Sequence, residues 1–129
     1  MLGLHSKQLE IVKMLKQGFY IFLATLMGGC VSANFLPTGG ELFAPKPPGC
    51  AIEVFSSGAP DRAYEEIGIV EGKGRAWKAE MRDVLPAIME EGCRAGGDGV
   101  IIGGIEMFSE GEQGTPTQVI NATVIRWTN

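Results

Sequence analysis

Gly92-Cys93-Arg94-Ala95-Gly96-Gly97-Asp98-Gly99-Val100-Ile101-Ile102 is the stretch on which the fold turns. The glycine pair after Ala95 supplies the left-handed stop of a helix, and an apolar run begins just beyond it. Upstream, Trp77, Met81, Val84, Leu85, Ile88, Gly92 and Ala95 recur at helical spacing, the stripe of an amphipathic helix. Pro86 falls within the stripe and would cost about 3 kcal/mol as an interior residue. Helix on both sides of a kink is therefore expected; the other arrangement starts the regular part at Asp83 as N-cap, with Pro86 in the first turn. Downstream, Gly99–Phe108 (GVIIGGIEMF) is so continuously apolar that it predicts a central strand buried on both sides or nearly so. The acidic, glycine-containing segment Ser109–Pro116 reads as a hairpin connection, and Thr117–Trp127 alternates β-branched and polar residues as a strand does.

On the N-terminal side, Ala51–Phe55 alternates with Ile52 and Val54 on one face, and Glu66–Glu71 carries Ile67, Ile69 and Val70. Both read as strands. The element order β-β-α-β-β then predicts an α+β domain over residues 50–129, with one long helix packed on one face of a small, mostly antiparallel sheet. Gly72-Lys73-Gly74-Arg75 lacks the Walker spacing of a phosphate loop and reads as a turn. Val31–Gly49 holds Pro37, Pro45, Pro47, Pro48 and three glycines, so neither helical nor strand periodicity is sustained. Residues 30–49 are expected to form a semi-extended tether; in the other arrangement Phe35, Leu42 and Phe43 pack on the domain as an ordered arm.

The first 29 residues differ from the rest. They carry Lys7, Lys13 and Lys16 against Glu10, a net +2, whereas residues 30–129 hold 8 basic and 14 acidic side chains, a net −6. After the lysines comes the apolar run Phe19–Met27, then Gly28-Gly29-Cys30. A basic region, a short apolar core and small residues before a cleavage point make an export signal over residues 1–29. Translation starting at Met14 would give that signal ordinary proportions. Only 12 uncharged residues lie between Gly18 and Gly29, short of the roughly 20 that span a bilayer as a helix. The alternative is a helix over residues 8–29 that ends at a chance cysteine.

Gly28-Gly29-Cys30 at the end of an apolar run resembles the lipobox of bacterial lipoproteins, with Met27 in place of the more usual Leu, Val or Ile. The resemblance implies that Cys30 is diacylated and becomes the mature N-terminus. Two or three buried acyl chains, at about 0.8 kcal/mol per CH₂, anchor a protein stably. Val31, where an Asp would mark retention in enterobacterial sorting, implies the outer membrane, with the domain facing the periplasm. The strands around Ile52-x-Val54-Phe55 and Glu66-Ile67-Gly68, and above all the junction Gly92–Ile102, resemble the small α+β domain of the YbjQ-like family and the related Rcs envelope-stress sensor lipoprotein. That resemblance covers about residues 50–127. At the junction, Gly96 can take positive φ, Gly97 and Gly99 permit close helix–strand approach, and Asp98 can accept bonds from turn amides, a structural role.

Setting Cys30 aside leaves Cys50 and Cys93, an even pair in an oxidising compartment, and a disulfide is expected. At 100° per residue Cys93 lies about 130° from the centre of the apolar stripe. The pair can therefore meet only if the preceding segment crosses the helix flank or Pro86 resets the phase; separate thiols, or metal or redox use, are the alternatives. His5 is the one histidine and lies in the signal, and no Cys-x-x-Cys spacing occurs, so no metal site is expected. Without histidine in the mature chain, Ser56, Ser57 and Ser109 lack the usual base, leaving Lys73 or Lys78 as conceivable ones. Glu90 and Glu91 diverge by 100° and read as a solvated pair rather than acid–base partners. No catalytic residues or cofactor are therefore expected, and a body at −6 with no basic patch argues against a nucleic-acid partner. Two function classes remain. The first is a lipid-anchored, non-catalytic envelope domain that binds a protein partner or senses envelope state. The second is a periplasmic small-ligand or metal-binding module, which would need a pocket lined by Glu53, Glu66 or Arg126.

Overall fold

The computed structural model describes residues 7–17 and 30–129. Residues 7–17 form a helix, α1, exposed along its whole length. The apolar part of the expected signal, residues 18–29, lies outside the described residues. Among the described residues no helix is long and apolar enough to cross a membrane.

The remainder is an α+β fold. Five strands, β1 (Val31–Pro37), β2 (Glu53–Phe55), β3 (Tyr64–Arg75), β4 (Gly99–Glu110) and β5 (Thr115–Trp127), form one sheet in the order β1-β3-β5-β4-β2. All pairings are antiparallel except β2 with β4. Helix α2 (Met81–Arg94) lies across one face of the sheet, against β1, β3 and β5. Its buried residues Val84, Ile88, Gly92 and Cys93 meet Val70, Ile120, Ala122, Val124 and Val100 from the sheet, and these form the core.

Four sequence expectations change in detail. The tether expected over residues 30–49 is not a free spacer. Val31, Ala33 and Phe35 alternate inward while Ser32, Asn34 and Leu36 face out, and the strand pairs with β3 from Val31↔Gly74 to Pro37↔Gly68. Phe35 and Phe43 pack against the core, as the ordered arm requires, whereas Leu42 stays exposed. Burying those rings outweighs the prolines because Pro37 sits at the end of an edge strand, where a missing N–H is tolerated.

Gly72-Lys73-Gly74-Arg75 is no turn but the last third of β3. Its glycines are there for space. A Cβ on Gly72 would meet Ile88 at 2.6 Å and Val84 at 2.7 Å, and one on Gly74 would collide with the carbonyl of Lys78. The helix therefore approaches the sheet closely where side chains are missing.

The third change concerns the helix start. Trp77 belongs to a short 3-10 turn, η1 (Ala76–Lys78), and α2 begins only at Met81, after Glu80. Pro86 thus lies in the second turn of a helix that continues on both sides of it, and the Arg82 carbonyl loses its helical partner.

The fourth is the largest. The central strand is β5, not Gly99–Phe108, and in β4 only Gly99 and Val100 are buried. The register breaks between Ile102 and Ile105, at Gly103-Gly104, and beyond the break β4 is not covered by α2, whose first turns lie over β3 with Val84 against Gly72 and Gly74. Ile105, Met107 and Phe108 are consequently exposed.

Candidate functional site

The junction read from sequence closes as a Schellman motif. Gly96 takes φ 78°, its N–H donates to the Cys93 carbonyl at 3.0 Å, and the Gly97 N–H donates to the Gly92 carbonyl at 2.9 Å. A Cβ on Gly97 would sit 2.4 Å from Val124, so this step of the chain must be glycine for the helix to end directly on β5.

Asp98 is the hub that joins the junction to three other segments. Its backbone N–H donates to Ile125 at 2.8 Å and its carbonyl accepts from Glu53 at 3.1 Å. One carboxylate oxygen accepts from the Trp127 amide at 2.8 Å, and the other pairs with Lys46. Burial opposes ionisation here, but the Lys46 hydrogen bond, the Trp127 amide and the charges of Lys46 and Arg126 outweigh it. The carboxyl is held below its ordinary range. These contacts are structural ones, fixing the β2–β4–β5 end of the sheet. Lys46 and Trp127 were not legible as its partners, being 52 and 29 residues away.

The disulfide between Cys50 and Cys93 is present, with the Cα atoms 6.0 Å apart. The reason the two meet, despite the phase of Cys93, is that the chain before Cys50 crosses the end of α2. The Lys46 N–H donates to the Cys93 carbonyl at 2.8 Å, and Phe43 lies under the Arg126 guanidinium at 4.0 Å. Cys93 is thereby buried between the core and this arm.

Cys30 is exposed and forms no disulfide. It stands directly before β1, and its carbonyl accepts the Arg75 N–H at 3.0 Å, so no slack separates it from the folded domain. Across the sheet Arg75 pairs with Thr117, and Thr117 with Phe108. Cys30, Arg75, Thr117 and Phe108 thus form one transverse row, about 14 Å wide over three strand spacings. On the face away from α2, Glu110 bonds Lys73 at 2.7 Å and Arg75 at 3.1 Å. The Lys73 ammonium, together with Arg75, holds the Glu110 carboxyl below its usual range.

The residues proposed to line a ligand pocket do not converge. Glu53 and Glu66 occupy opposite ends of a second transverse row, Glu53–Gly99–Ile125–Glu66, again about 14 Å long. Arg126 points to the other face, over Phe43. Open grooves occur among the described residues: one of ≈ 250 Å³ between Phe35, Leu42, Phe43 and Ile67, one of ≈ 440 Å³ between Pro48, Cys50, Pro86, Met89 and Cys93, and one of ≈ 230 Å³ that Glu66 lines with Glu41, Phe43 and Glu65 but without Glu53 or Arg126. Among the described residues, no three or more His, Cys, Asp or Glu side chains group as metal ligands.

No family model matches the chain, and no curated protein matches it. Among solved structures, the chain is similar to the crystal structure of a Francisella virulence factor, FvfA. The two are 14% identical with a TM-score of 0.49, over 72% of this chain and 97% of that one.

Proposed function

We propose that this chain is a bacterial envelope lipoprotein, anchored through acylated Cys30 in the outer membrane. Its α+β domain faces the periplasm and acts by binding a protein partner or sensing envelope state rather than by catalysis. One observation carries the reading. The cysteine that ends the lipobox-like segment is the exposed, unpaired one, and it stands at the first residue before the folded domain, where a mature N-terminus belongs. The Cys50–Cys93 disulfide fits an oxidising compartment. The arrangement leaves no gap for a long spacer, so the domain sits on its anchor directly.

The test is the intact mass of detergent-extracted protein, before and after reduction and thiol alkylation. The expected result is the mass of residues 30–129 plus a diacylglyceryl adduct, with two thiols labelled only after reduction. An unprocessed mass, with Cys30 open to alkylation without reductant, would overturn the reading. Cys30→Ala should in addition release the domain from the membrane fraction while leaving the disulfide intact.

A further inference from the structure

Three features occur at the Cys30 end of the sheet. The first is a cluster of exposed apolar side chains. On the side of the sheet that carries α2, Ile105 is 47% exposed, Met107 64% and Trp77 63%. Met107 belongs to the row Val31–Gly74–Gln118–Met107, next to the Cys30 row, and η1 with Trp77 lies over Gly74 and the start of β5. The second is backbone strain. Ala76 takes φ 57°, a left-handed conformation uncommon for a residue with a side chain, and it stands between Arg75 in β3 and the exposed indole of Trp77. The third is the missing slack at Cys30.

We propose that the apolar surface of Trp77, Ile105 and Met107 docks into the interface of the bilayer that holds the Cys30 lipid. The inference rests on the anchored-lipoprotein reading, and commits to lipid for a geometric reason. An acyl chain on Cys30 puts that end of the Cys30–Phe108 row at the membrane surface, with Trp77 two residues after Arg75, Met107 in the adjacent row and Ile105 three residues along β4 from Phe108. An indole with an apolar body and a polar N–H favours that boundary. The β4–β5 hairpin extends about 10 Å beyond the row, and its tip, Gly111-Glu112-Gln113-Gly114, is polar. Strands perpendicular to the membrane would force that tip into hydrocarbon, so the sheet inclines and lays its Trp77–Met107 side on the lipid. Attraction to acidic headgroups plays little part. The cations at this end are already paired, Lys73 and Arg75 with Glu110, Lys78 with Asp83 and Arg82 with Glu80.

The two tryptophans provide the test, because Trp127 lies at the opposite end of β5 from this surface. Membrane-extracted protein would be reconstituted into phosphatidylcholine vesicles carrying brominated acyl chains, as W127F with Trp77 the sole emitter and as W77F with Trp127 the sole emitter. Trp77 emission should be quenched at least twofold and shifted to the blue, with Trp127 unchanged and no dependence on added phosphatidylglycerol. Ile105→Ser with Met107→Ser should at least halve the quenching of Trp77 while the far-UV spectrum stays that of the parent, which separates docking from unfolding. A confirmed diacylglyceryl mass with Trp77 unquenched would overturn the docking and leave the anchor standing. Absence of the adduct would remove both. Trp77 shielded from aqueous acrylamide and from bromine alike, increasingly with protein concentration, would assign the surface to a second copy and overturn the lipid assignment.

Discussion

The two ends of the sheet are built on different principles. At the end holding Gly99 and Trp127, three segments far apart in sequence are tied to one turn: the arm at Lys46, the short strand β2 and the last residues of β5 all bond Asp98. A disulfide fixes the arm to the helix, Phe55 meets Trp127 edge-on at 5.9 Å, and Arg62 covers the indole at 4.6 Å. At the end holding Cys30 and Phe108, the strands are held by their ladders and by one surface ion-pair group on Glu110, and large apolar side chains face outward. The contrast is one of construction: one end is closed and cross-linked, and the other leaves large apolar side chains exposed.

The largest expected effect tests the closed end. The disulfide joins residues 43 apart, and on the chain-entropy model its loss costs about 4 kcal/mol. Urea unfolding of Cys50→Ser with Cys93→Ser should show that drop, and reductant should reproduce it in the parent protein. A loss below about 1 kcal/mol would mean that the hydrogen bonds around Asp98 close this end without the covalent link.

Asp98→Asn comes next. It weakens the bond to Lys46 and should cost about 2 kcal/mol at neutral pH, the range for charge-assisted hydrogen bonds. Because the folded state holds this carboxyl below its ordinary pKa, its contribution is present above the unfolded value of about 3.9. That contribution is lost as pH falls through the lower folded value. Stability measured between pH 6 and pH 2 should therefore fall less steeply in the variant, and identical slopes would show that Asp98 does not titrate with folding.

The smallest effect belongs to the open end and has the opposite sign. Gln118 is 6% exposed, and its amide oxygen is buried without a hydrogen-bond partner. Gln118→Met keeps the length and removes the orphaned polar group, so thermal unfolding should show a gain of up to about 1 kcal/mol. A loss would mean that the amide is satisfied in solution, and this end would then be more specifically built than the comparison holds.

Legibility in the sequence follows the same division. The closed end was partly readable because its signals are local: a glycine pair after a helical stripe, and two cysteines left once Cys30 is set aside. Which partners Asp98 would take was not, since Lys46 and Trp127 reach it only after the sheet has formed. In the other half, hydrophobicity was misleading. GVIIGGIEMF has the composition of a buried strand, yet apolar character alone does not distinguish a core from a surface left uncovered, and at the level of its second half α2 stands over β3, with Val84 against Gly72 and Gly74, instead of over β4. Val31–Pro37 failed for the converse reason, because its inward period of two, Val31, Ala33 and Phe35, is brief and is followed at once by prolines and glycines. The glycines of β3 look like turn residues until the helix above them is known. The candidate anchor, by contrast, was named from sequence alone, and the structure adds where Cys30 stands relative to the sheet.

The outer rim of β4 carries one more implication. Strand β2 pairs only with Gly99–Ile101, and among the described residues no strand lies beside the rest of β4. A row of backbone donors and acceptors unpaired by any strand and flanked by Ile105 and Phe108 is the template on which chains add to one another at high concentration. The bulge at Gly103-Gly104 sets where that template starts: before it only Ile102 is uncovered, and beyond it Ile105–Glu110 run on as one continuous edge.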